Sequence, residues 1–280
     1  MNKILLGLMI LLSCLFIIEA GPAHGEDYTF AVISDNHTRI DRSGFSLYPA
    51  TKIIIDNLIR EIKPRFVLHA GDMISINHGT NNDRDITEMW RIFNSGVRDR
   101  LLSRGISFFP TPGNHDMYGL GRTHYRNNWE RFKNNGIPLL SGSYANYYAF
   151  KFGSILFISL NGSSLSLGRE QERWLEKTID TCRDKSGQVV VFSHVGLIGR
   201  GRHPMEVLQG NVTSILKKKN IQFFISGHQH FYSKDLIGSI THISAGSSGE
   251  THPFNYLIFT VKGNSLRWEV RCGSDLMRMR

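Results

Sequence analysis

The sequence specifies an α/β fold of two mixed sheets laid face to face and flanked by helices. Its first half alternates short apolar runs with helically spaced segments in the order β-α-β-α-β, which implies parallel strands joined by crossover helices. Its second half is richer in strands, separated by glycine turns. Neither a repeat nor a Pro/Gly-rich linker divides the 280 residues, so one domain is expected from about Asp27 to Arg271.

The elements follow in order. Tyr28 to Ser34 is the first strand, an apolar-rich run that ends at Asp35. Pro49 to Ile62 has helical spacing, with Pro49 suited to the first helical position and Pro64 just past the end. Phe66 to Ala70 is the second strand and leads into Gly71-Asp72. Asp85 to Leu102 reads as a helix, and Ile106 to Pro110 as a strand leading toward Gly113-Asn114-His115-Asp116. Tyr147 to Phe152 and Ser154 to Ser159 flank Gly153 as an antiparallel pair. Gly168 to Thr181 carries Trp174 and Leu175 on a helical face, and Val189 to Ser193 is a continuous apolar strand ending at His194. Met205 to Lys218 reads as helix, then Ile221 to Ser226 as a strand ending at Gly227-His228. Tyr232 to Ile237, Ile240 to Ser244, Tyr256 to Val261 and Leu266 to Arg271 complete the strands.

Met1-Asn2-Lys3 and the apolar run Ile4 to Ile18 have the n-region and h-region of a signal peptide, with the small Ala20 at the cleavage position. Residues 1–20 are therefore expected to be removed and the protein exported, either periplasmic or secreted. The run is short for a membrane span. An uncleaved anchor, or lipidation at Cys14, would tie the chain to a membrane; the apolar Leu15-Phe16-Ile17-Ile18 argues against lipidation. Export leaves Cys182 and Cys272, as one disulfide or two buried thiols. The net charge of +9 favours anionic substrates or surfaces without choosing among them. Basic residues interleaved with aromatics are not evident, and Lys217-Lys218-Lys219 is a lone run, so nucleic acid is disfavoured as a partner. Asn36, Asn161 and Asn211 are sequons; a glycan at Asn36 would sit inside the candidate site described next.

Asp35, His37, Asp72, Asn114, His115, His194, His228 and His230 stand at strand ends and loop starts, where open α/β sheets gather functional groups. One Asp-x-His or one histidine alone is usually structural or solvated. Five clusters in order supply oxygen and imidazole ligands for two metal ions in one cleft. Asp35 and His37, like His228 and His230, are two residues apart and would point the same way from extended backbone. Gly71, Gly113 and Gly227 precede ligands and permit close backbone approach. Two divalent ions carry four positive charges against the two negative charges of Asp35 and Asp72. The surplus suits a phosphate anion and acidifies a bridging water, whose pKa can fall to about 7. His115 suits protonation of a leaving alkoxide, with Asp116 expected to orient and charge its imidazole. His24, His69, His78, His124, His203, His242 and His252 belong to no cluster and are expected in the core or on the surface.

Taken in order, Asp35-Asn36-His37, Gly71-Asp72, Gly113-Asn114-His115-Asp116, His194 and Gly227-His228-Gln229-His230 resemble the pattern of the calcineurin-like metallophosphoesterase superfamily. Asn161 with Leu167 to Leu175 resembles a segment of its extracellular and purple-acid-phosphatase-like members. The resemblance implies a four-layer α/β/β/α sandwich and two divalent or mixed-valence transition-metal ions, manganese, iron or zinc. It implies one ion on Asp35, His37 and His230, the other on Asn114, His194 and His228, Asp72 bridging both, and His115 as acid. The chain also departs from the pattern. Ser75 stands where purple acid phosphatases place a tyrosine ligand, so a ferric-tyrosinate chromophore is not expected. Val195-Gly196 follows His194 where relatives often have a proline at the second position.

The expected function is that of an exported, dinuclear-metal-dependent phosphohydrolase. It would attack small phosphomonoesters or phosphodiesters with metal-bound hydroxide. Substrate choice is expected from the loops Ser75 to Asp85, Gly119 to Arg126 and Gly196 to Pro204, the last carrying Arg200, Arg202 and His203. A metal-dependent nuclease and a non-catalytic module that holds a phosphorylated or acidic polymer are the alternative readings.

Overall fold

The computed structural model describes residues 27–41, 44–77, 82–130, 136–185, 187–200, 203–249 and 253–273. The expected signal peptide, Cys14, His24, His78, Arg202 and His252 lie outside them. The first half runs β1 (Tyr28–Ile33), a small hairpin of β2 (Arg39–Asp41) and β3 (Gly44–Ser46), α1 (Pro49–Asn57), β4 (Phe66–His69), α2 (Asp83–Phe93), α3 (Asp99–Leu102) and β5 (Ser107–Pro110). Both helical stretches pass through a π-helical turn, Leu58–Ile62 after α1 and Asn94–Arg98 between α2 and α3. Then come α4 (Asn114–Met117), α5 (Gly121–Glu130), β6 (Leu139–Ser143), β7 (Tyr147–Phe152), β8 (Ile155–Leu160), α6 (Gly168–Cys182) and β9 (Gln188–Ser193). The chain closes with α7 (Val212–Lys218), β10 (Phe223–Ser226), β11 (Tyr232–Ile237), β12 (Ile240–Ala245), β13 (Asn255–Lys262) and β14 (Ser265–Cys272).

Strand alternation builds the layers. Tyr28, Phe30 and Val32 of β1 enter one apolar cluster, whereas Ala31 and Ile33 enter another with α1 and α2. On the facing sheet, Ile155 and Phe157 of β8 and Val190 and Phe192 of β9 join the first cluster. Leu156, Ile158, Val189 and Val191 point the other way, toward Leu175 of α6 and Leu216 of α7. This period of two gives four layers, helix–sheet–sheet–helix. Phenylalanines fill the space between the sheets. Phe30 stacks between Phe66 and Phe259 at 5.1 and 4.7 Å, and Phe109 stacks on Phe150 at 3.8 Å.

One sheet has the order β14-β13-β1-β4-β5 and the other β11-β12-β10-β9-β8-β7-β6. Strands β1, β4 and β5 are mutually parallel, as are β8, β9, β10 and β12. Two parallel cores therefore end close together, and the loops after β1, β4, β5, β9 and β10 form one rim.

Several elements differ from the sequence reading. Residues 205–211 are loop rather than helix, because Leu208 N–H and Gln209 N–H donate to Gly196 O (2.8 Å) and Leu165 O (2.7 Å), and Gly210 takes φ +89. Six of the eight residues of the expected Gly119–Arg126 loop belong to α5, which buries Tyr125 and Trp129 against Trp90. Cys182 and Cys272 are free, partly buried thiols at the ends of α6 and β14, which serve different sheets. Asn36 is fully buried, which leaves no room for a glycan. Among the described residues no helix is long and apolar enough to cross a membrane.

Candidate metal centre

The turns that carry the ligand candidates are left-handed, not extended as expected. Asp35, His37, Asp72, His228 and His230 have φ of 53, 45, 56, 69 and 59. They are five of the nine non-glycine residues with positive φ among those described. This conformation costs an L residue of order 1 kcal/mol or more. Backbone bonds between loops hold it: Asp35 N–H donates to Gly71 O, His37 N–H to Asp72 O and Thr38 N–H to Met73 O, each at 3.0 Å. Tight packing completes the cradle. A Cβ on Gly113 would lie 2.0 Å from Asp72 Oδ1, and one on Gly71, itself at φ +86, 2.6 Å from His194 Nδ1.

All seven metal-ligand candidates meet in two groups that share Asp72. In the first, His37 Nε2 and His230 Nε2 face each other at 3.2 Å, and Asp35 Oδ1 lies 3.3 Å from His230 Nε2. Asp72 Oδ2 is 3.6 Å from His37 Nε2. In the second, His194 Nε2 lies 2.9 Å from Asn114 Oδ1, 3.2 Å from Asp72 Oδ2 and 3.2 Å from His228 Nδ1. Outer atoms of three of these side chains are already engaged. His194 Nδ1–H donates to Ala70 O (2.7 Å), and Asp72 Oδ1 accepts from His115 N–H (2.9 Å). Asp35 Oδ2 accepts from Ser34 Oγ–H (2.5 Å) and His228 N–H (3.1 Å), while Asp35 Oδ1 is buried without a hydrogen-bond partner.

With the imidazoles neutral, what faces inward is a set of lone pairs. Burying acceptors together without donors is unfavourable unless a cation lies among them. The electrostatics agree. Burial pushes the Asp35 carboxyl up, but His230, His37 and His194 outweigh it and hold the group well below the usual carboxylate range. Asp72 is likewise lowered against its burial, chiefly by His194. Burial opposes a proton on His194, yet the Asp72 charge wins and raises it to about 10. A pocket that draws a proton this strongly also suits metal ions, and imidazole, carboxylate and amide donors fit manganese, iron or zinc.

His115 stands beside this set, its ring 4.9 Å from that of His37 and its Nδ1–H on Ile76 O at 2.9 Å. The expected pairing of Asp116 with His115 is not formed. Asp116 instead accepts from four backbone amides, Asp72 (2.9 Å), Met73 (2.9 Å), Ile74 (3.1 Å) and Gly113 (2.9 Å). Burial and the Asp72 charge push its carboxyl up to about 7, against the amides of Gly113 and Ile74. Asp116 is the third residue of α4, so its side chain turns back to the helix start, as in a capping box. It is the anchor that ties the loop after β4 to the loop after β5.

Three further residues lie beside or beneath the site. Arg200, in one of the loops expected to choose the substrate, pairs with Asp235, and its backbone N–H donates to Gln229 Oε1 at 2.9 Å. Glu206, in none of the motifs, contacts both His228 and His203. His69, left outside the clusters, is buried beneath the site, hydrogen-bonded to Asn36 Oδ1 at 2.6 Å, and burial pulls it down to about 3.

A family model for calcineurin-like phosphoesterases matches residues 28–232. A sequence search of curated proteins gives no significant match. A purple acid phosphatase from yellow lupin (Lupinus luteus) seeds superposes with a TM-score of 0.70 at 15% identity, over 91% of this chain and 53% of that one. This chain thus spans about half the length of the lupin protein. A dimetal phosphatase from Danio rerio gives a TM-score of 0.67 at 17% identity, over 88% of this chain and 96% of that one. GAP50, the anchor in the inner membrane complex of Plasmodium, gives 0.56 at 13%, over 88% and 84%. At such identities the likeness is one of fold.

Proposed function

This chain belongs to the calcineurin-like phosphoesterase family, and from that premise we propose an exported phosphohydrolase that cleaves small phosphomonoesters or phosphodiesters with two metal ions held around Asp72. The convergence of imidazole, amide and carboxylate donor atoms on Asp72, with Asp35 Oδ1 buried beside His37 and His230 and without a hydrogen bond, is the observation that carries this reading. Asp35, His37 and His230 are assigned to one ion, Asn114, His194 and His228 to the other, and Asp72 to both. When bound, such ions supply Lewis acidity to phosphoryl oxygens and acidify water, to a pKa of about 7 in favourable sites.

The remaining steps fall to the chain's own side chains. His115 keeps Nδ1–H on the Ile76 carbonyl, so Nε2 is the atom assigned to protonate the leaving oxygen. Asp116 holds the backbone from which Asp72 and His115 project. The catalytic unit is assigned to residues 27–271, since β1 and β14 both join β13 in one sheet. Export is assigned from the apolar run Ile4 to Ile18 and Ala20.

Aryl phosphate mono- and diesters, assayed with manganese, iron or zinc, test the reaction class. Metal-dependent turnover that disappears on chelation and returns on re-addition is expected; inactivity across all these metals and substrates would overturn it. Amino-terminal sequencing of protein recovered from cell fractions tests export. A mature chain starting just after Ala20, outside the cytosol, is expected, and an intact Met1 in the cytosol would refute it.

A further inference from the structure

One carboxylate at the edge of the site bonds a ligand histidine from outside. Glu206 lies in the loop between β9 and α7, and its side chain is 42% exposed. Glu206 Oε2 accepts from His228 Nε2–H at 2.7 Å, and Oε1 accepts from His203 Nδ1–H at 3.0 Å. The rings of His203 and His228 lie 4.7 Å apart. An ionised carboxylate offers only acceptors, so the bond to Glu206 requires the proton of His228 to sit on Nε2. His228 Nδ1 is then a lone pair, and it is this atom that faces His194 Nε2 at 3.2 Å. With the opposite tautomer, Nδ1 would present a proton to the group of donors and exclude a cation.

His194 solves the same problem differently. Its outer nitrogen is fixed by a backbone carbonyl, Ala70 O, which no side-chain substitution removes. The tautomer of His228, by contrast, depends on one half-exposed side chain. The loop that carries that side chain is held just after it, through Leu208 N–H on Gly196 O and Gln209 N–H on Leu165 O.

We propose that Glu206 is a positioning residue that selects the His228 tautomer and thereby sets how tightly the ion assigned to Asn114, His194 and His228 is held. The inference rests on the two-metal assignment above. A carboxylate behind a ligand imidazole fixes its orientation and raises its basicity, and loss of such a partner typically weakens metal binding about 10–100-fold.

Zinc titration of metal-stripped wild-type, Glu206→Ala and Glu206→Gln protein against a chromophoric competing chelator tests it, together with the visible absorption of the cobalt forms and melting of each apoprotein. Glu206→Ala is expected to keep one tight ion and weaken the second about 10–100-fold, with an altered cobalt spectrum and an unchanged apo melting temperature. Glu206→Gln, whose amide oxygen still accepts from Nε2–H, is expected to recover most of the affinity. Two ions bound as tightly by Glu206→Ala as by the wild type would overturn the role of Glu206 and leave the metal assignment standing. Equal loss of both ions with a lowered apo melting temperature would show a structural effect and overturn it too. A wild-type protein that binds fewer than two ions would remove the assignment and this inference with it.

Discussion

His115 and Asp116 are neighbours in sequence with different partners. His115, the proposed acid, bonds the Ile76 carbonyl, whereas Asp116 collects four backbone amides. His115→Ala is expected to lower turnover by about 10²–10⁴-fold on poor leaving groups and much less on nitrophenolate, with both metals retained. Equal losses across a leaving-group series would reject the acid assignment. Asp116→Ala leaves buried amides without an acceptor and is expected to cost about 3 kcal/mol of stability or more. It should loosen metal binding while leaving the slope of rate against leaving-group pKa unchanged; denaturant melts and that slope together check it. A changed slope at unchanged stability would return Asp116 to the chemistry. The donors were legible in the sequence because metal chemistry restricts which residue types serve. Glu206 was not, since nothing local distinguishes a carboxylate whose partner is 22 residues away.

Strands proved easier to read than the turns between them. Val189 to Ser193 and Phe66 to Ala70 lie within a residue or two of β9 and β4, because a buried strand writes a continuous apolar run. Helix α5 was missed: among its ten residues only Tyr125 and Trp129 supply the apolar spacing, in an otherwise polar segment. β6 was missed because its side chains are mostly exposed and carry no alternation. Left-handed backbone at Asp35, His37, Asp72, His228 and His230 was illegible, because tertiary hydrogen bonds impose it on residues that do not prefer it. The close-approach role expected of the glycines is visible at Gly113, where α4 presses on the loop after β4. Gly113→Ala is expected to displace Asp72, lowering metal occupancy and activity at least tenfold while circular dichroism stays native. Full metal loading in that variant would show that the 2.0 Å approach is relieved elsewhere.

The assembled sandwich does not by itself decide what the protein does, for fold and activity separate readily. Its structural neighbours include two phosphatases and a protein described as an anchor. The rim of the sandwich is more informative. There, five loops from two sheets bring Asp35, His37, Asp72, Asn114, His194, His228 and His230 into two touching groups across as many as 195 positions of sequence. That distance explains why order along the chain could suggest the site but not its geometry. Elemental analysis of the purified wild-type protein, stripped and then reconstituted with manganese, iron or zinc, decides whether the rim holds a metal pair. Two equivalents per chain, falling to one or none in Asp72→Asn, is the expected result; no bound metal under any reconstitution, or two equivalents retained in Asp72→Asn, would contradict it.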